Sequence, residues 1–142
     1  MYNSSSTNAL IPLHCRSDGL ISLPQFEKFY WPQLKRMLLQ LIDHGTNPFC
    51  LYEGSWIEQQ PDLPDLAELP EGKSMGWFQS RDIFTAKEIL GDTVLIVGGV
   101  KNYLRQDGTV EQVRDYTQKW CEVVGKRGGY LMSVGIGEME MD

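Results

Sequence analysis

Apolar positions along the chain follow two different periods, and the switch between them marks out the elements. Thr93 to Val97 (TVLIV) is a short β-branched run, the composition of a strand buried on both faces. Gly98 and Gly99 follow where the strand hands over to a loop. Thr109 to Gln112 (TVEQ) fits a capping box, which predicts a helix carrying Val110, Val113, Trp120, Cys121 and Val124 on one apolar face. Arg127-Gly128-Gly129 stops that helix, and Tyr130 to Val134 (YLMSV) reads as another buried strand. Strand, helix, strand in this order is a βαβ unit, with parallel strands and a right-handed crossover.

The same alternation runs through the rest of the chain. Ala9 to His14 (ALIPLH) predicts a short strand in which Pro12 removes one ladder donor. Ser22-Leu23-Pro24-Gln25 is a second capping-box pattern. It opens a helix that is aromatic early (Phe26, Phe29, Tyr30) and aliphatic late (Met37, Leu38, Leu41, Ile42). Pro32 should kink or divide this helix, and Gly45 suits its C′ position. Pro48 to Glu53 (PFCLYE) reads as a strand closed by Gly54. Ser55 to Gly72 is rich in Pro and acidic residues, with at most a short helix near Asp65–Leu69. Ser74 to Gln79 is a strand weakened by Gly76, and Asp82 can cap a helix over Ile83–Leu90 that Gly91 ends. Five strands with four helical connections make the class α/β with a parallel sheet. The expected layout is a flexible tail at 1–8, one domain at 9–137 and an acidic tail at 138–142.

Composition changes this picture mainly by exclusion. A net charge of −6 without a basic patch argues against nucleic acid as a partner. There is no apolar run of the ~18 residues a membrane span needs, so no membrane partner is expected. The opening MYNSSSTN lacks a signal-peptide pattern, so the expected compartment is the cytoplasm. Cys15, Cys50 and Cys121 form no CxxC pair and suit reduced thiols, with Cys50 and Cys121 expected in the core.

Ligands of parallel α/β folds bind at the carboxyl ends of the strands. Those ends carry His14/Cys15/Asp18, Tyr52/Glu53, Gln79/Arg81/Asp82, Gly98/Gly99/Lys101/Asn102 and Ser133 to Gly137. Glu53 is the leading candidate, because a carboxylate that ends an apolar strand needs a partner or water. His14 and Asp82 join it as catalytic candidates, although His14 can equally bond loop backbone and Asp82 can equally cap a helix. Asp18, Tyr52, Arg81, Gly98 and Gly99 are the expected substrate contacts. Asp18-Gly19 is also a common turn pair, and Lys101 is more often a solvated loop charge. The phosphate-loop, nucleophile-elbow and zinc-protease patterns are absent. Without them, a small flavodoxin-like binding domain remains only a third choice.

PLHCRSDGLIS, PQFEKFYWPQLKRMLLQLIDHG, PFCLYEG, AKEILGDTVLIVGGV, GTVEQVRDY and GGYLMSVG, in this order, resemble the C-terminal part of the uroporphyrinogen decarboxylase superfamily. That superfamily includes the decarboxylase of haem synthesis and the methylcobamide:coenzyme M methyltransferases. The resemblance covers residues 9–137 and implies the later half of a (β/α)8 barrel, a fold of about 250 residues or more. It further implies methyl transfer involving a cobamide, or alternatively tetrapyrrole decarboxylation, so the small-molecule partner would be a methyl donor or a tetrapyrrole. An N-terminal half-barrel partner or self-association would complete the barrel, and a non-catalytic split half or remnant is the other implied reading. The methyltransferases' zinc-binding His-x-Cys-Gly reads here Leu51-Tyr52-Glu53-Gly54, and the second Cys falls around Gly135–Ile136. A thiol-activating zinc site is therefore not implied. Glu53 with His14 could instead form an oxygen- and nitrogen-rich site for a divalent metal. The decarboxylase's last-strand His is Ile136 here.

Overall fold

The computed structural model describes residues 7–13, 21–52, 66–78, 83–91 and 93–133. Its strands are β1 (Asn8–Leu13), β2 (Asn47–Tyr52), β3 (Ser74–Phe78), β4 (Val94–Gly98) and β5 (Tyr130–Met132). All neighbours pair in parallel, in the order β1-β2-β3-β4-β5. The helices are α1 (Leu23–Gln25), α2 (Trp31–Asp43), α3 (Ile83–Leu90), α4 (Asn102–Asp107) and α5 (Val110–Val123). The class is α/β with a five-stranded parallel sheet, as the alternation predicts.

Residues in register share a face of the sheet. One face carries Ile11, Leu13, Cys50, Tyr52, Phe78, Val94, Ile96 and Tyr130, and these are the strand residues that join the core. Phe26, Trp31, Leu34 and Leu38, then Leu66 and Leu69, Ile83, Ala86 and Leu90, and finally Trp120 and Val124 cover them. Burying each such large side chain contributes about 1.5–3 kcal/mol. The opposite face carries Leu10 and Pro12, Phe49 and Leu51, Met75 and Trp77, Leu95 and Val97, and Leu131. None of those belongs to the core cluster. Sequential order with crossovers of one hand has this consequence, since each helix returns over the same side. A flavodoxin-like sheet has the order 2-1-3-4-5 and helices on both faces. The observed order overturns that third choice.

Local chemistry accounts for the helices. Thr109 and Gln112 form the full capping box, Thr109 N–H donating to Gln112 Oε1 at 2.8 Å and Gln112 N–H to Thr109 Oγ1 at 3.2 Å. Ser22 N–H donates to Gln25 Oε1 at 2.9 Å, the reach-back half of the second box. Between α1 and α2, Phe26–Tyr30 form one π-helical turn, with Trp31 N–H donating to Phe26 O. Pro32 explains it. Having no N–H and a ring that crowds the preceding turn, it forces the backbone to widen rather than continue its regular ladder.

Two sequence expectations need correction. Thr7 O accepts from Asn47 N–H at 2.6 Å, so alternate residues of β1 turn towards β2 and Pro12 turns its nitrogen to the outer edge. No ladder donor is lost there. Cys121 is exposed, and Val110 is 76% exposed. At 100° per residue they stand roughly 100° and 80° round the helix to the same side of Trp120, which centres the buried stripe. Leu66 is helical and Leu69 N–H donates to Leu66 O, which agrees with at most a short helix near Asp65–Leu69 among its described residues.

Candidate functional site

The parallel sheet brings the carboxyl ends of all five strands to one pole, where Leu13, Tyr52, Phe78, Gly98 and Met132 are the last strand residues. Tyr52 lies on the helix-covered face. It is 3% exposed, and its ring stacks on Phe78 with centroids 4.8 Å apart and planes 6° from parallel. Gly76 makes room for this stack, since a methyl there would meet Phe78 at 2.9 Å and Tyr52 at 3.3 Å. Two residues back on the same face, the Cys50 thiol shares a hydrogen bond with the Tyr52 hydroxyl. Burial pushes the Cys50 thiol up to about 11, opposed in part by that bond. Burial also raises the Tyr52 hydroxyl well above its ordinary value, helped by the neighbouring Cys50. Both groups stay protonated at neutral pH, so the pair is a packed, uncharged element beneath the pole.

Gly98 and Gly99 act through close approach. Gly98 faces Ile83, whose Cδ1 occupies the space a side chain would need. Gly99 is backed by the main-chain carbonyl of Ser133, and Ser133 N–H donates to Gly98 O at 2.8 Å. The loops after β4 and β5 are thereby clamped together at the pole. Beyond them, Lys101 is half-buried, its ammonium 5.9 Å from the Tyr103 ring centroid. Asn102 Oδ1 accepts from Arg105 Nη1 at 3.4 Å.

His14, Cys15, Asp18, Glu53, Gln79, Arg81, Asp82 and residues 134–137 lie outside the described residues. The structure therefore positions Tyr52, Gly98 and Gly99 of the candidate set, and gives each a packing contact at the pole. Among the described residues, no three His, Cys, Asp or Glu side chains come together to hold a metal ion. Cys50 is sealed beneath the helices, and the other described thiol, Cys121, sits on α5.

Comparison with protein-family models, curated proteins and solved structures finds no match in any of the three. No described helix is long and apolar enough to cross a membrane.

Two features escape sequence reading. The Cys50–Tyr52 pair is signalled only by its period-two spacing, which puts both residues on one face. Lys87 is only 9% exposed, and its Nζ donates to Gly91 O at 2.9 Å and Gly128 O at 3.3 Å. Its signal is its place in the buried stripe Ile83, Ala86, Lys87, Leu90. Gly91 precedes β4 and Gly128 precedes β5, so Lys87 ties the two strand starts together at the pole away from the candidate site.

Proposed function

We propose that this chain is part of a β/α barrel of the uroporphyrinogen decarboxylase type, and that its strand-end pole takes part in corrinoid-linked methyl transfer. The supporting observation is the sequential five-stranded parallel sheet with its helical core on one face, an arrangement that suits an arc of a barrel. The chemistry rests on the sequence resemblance. In this reading Glu53, one residue beyond β2, is the main polar group, with His14 and Asp82 beside it and Asp18, Tyr52, Arg81, Gly98 and Gly99 bordering the ligand. The cobamide enters as the methyl-donating substrate. Tetrapyrrole decarboxylation is the alternative chemistry for the same pole.

Titration of the chain with a methylcobamide and with a porphyrin, followed by calorimetry, tests this. Binding of the cobamide in preference to the porphyrin is expected, and Glu53→Gln should abolish it while leaving the far-UV circular dichroism unchanged. Equal affinity in Glu53→Gln would remove Glu53 from the site. Binding of the porphyrin alone would favour the decarboxylase chemistry.

A second reading is a non-catalytic half that docks with an N-terminal half-barrel or with another copy of itself. The exposure of Leu10 on β1 (60%) and Leu131 on β5 (50%) favours it, since both lie on edge strands of the face opposite the helices.

A further inference from the structure

We draw no further inference here: the strongest candidate, the apolar sheet face opposite the helices that runs from Leu10 on β1 across Phe49 and Trp77 to Leu131 on β5, belongs to the second reading already given, and nothing in the structure shows what covers it.

Discussion

Single side chains decide how tightly the candidate pole is built. At Gly98 the obstacle to a larger residue is the end of a side chain, Ile83 Cδ1; at Gly99 it is the Ser133 main chain. The two should respond differently to repair. Gly98→Ala is expected to cost about 1–3 kcal/mol through overpacking. Adding Ile83→Val removes the clashing methyl, so the double variant should be more stable than Gly98→Ala alone in urea unfolding. A double variant no better than the single would show that Ile83 is not the obstacle.

Cys50 makes a prediction of pH dependence. Its thiol ordinarily titrates at 9.0 and in the folded chain at about 11. The folded state thus holds the proton that the unfolded chain releases between those values. Stability from this group is complete below about pH 9 and is lost as pH rises towards 11, on the order of 3 kcal/mol in all. The raised Tyr52 hydroxyl acts in the same direction at higher pH. Urea midpoints measured from pH 8 to 11 should fall more steeply in the natural chain than in Cys50→Ala. Parallel slopes would mean that the thiol is not held protonated by burial.

At the scale of elements, the connections matter more than the strands they join. The β4–β5 connection is anchored at one end by the Thr109–Gln112 box and at the other by Trp120 and Val124 against Tyr130 and the sheet. Lys87 adds a tie from α3 to the turn that follows α5. Its replacement by Met keeps the length and the apolar stem but leaves the Gly91 and Gly128 carbonyls without their charged donor. A loss of about 1–3 kcal/mol is expected in urea unfolding. Hydrogen exchange should quicken first at the amides from 128 to 131. A uniform change across the sheet would show that Lys87 supports the core in general rather than this tie.

For the whole molecule, what distinguishes the sheet is its two edges. The outward backbone groups of β1 belong to Asn8, Leu10 and Pro12, and those of β5 to Tyr130 and Met132. Pro12 offers no donor, which blunts the β1 edge for one rung only. If a half-barrel partner docks, these edges are where new strands pair. In the chain alone, the Leu10, Tyr130 and Met132 amides should exchange far faster than those of β2 to β4. A co-purified partner supplying β/α units should slow those amides, and the mass by light scattering should rise to match. A partner that slows only helix amides would reject docking through the sheet.

The elements themselves were legible because their signals are local. Thr109-x-x-Gln112 specifies a helix start through bonds three residues apart, Gly45 suits the left-handed turn after α2 with φ of 77°, and TVLIV is short and β-branched, as a buried strand requires. The five strands and their alternation with helices follow from such signals, and so does the disruption at Pro32. Strand order, the face that meets the helices, the exposure of Cys121, the burial of Lys87 and the outward nitrogen of Pro12 depend on residues far apart in the chain. Period and composition say that a strand is apolar on both sides. Only the packed sheet decides which side holds Tyr52 on Phe78 and which holds Phe49 beside Trp77, because that choice is made by the helices returning over one face.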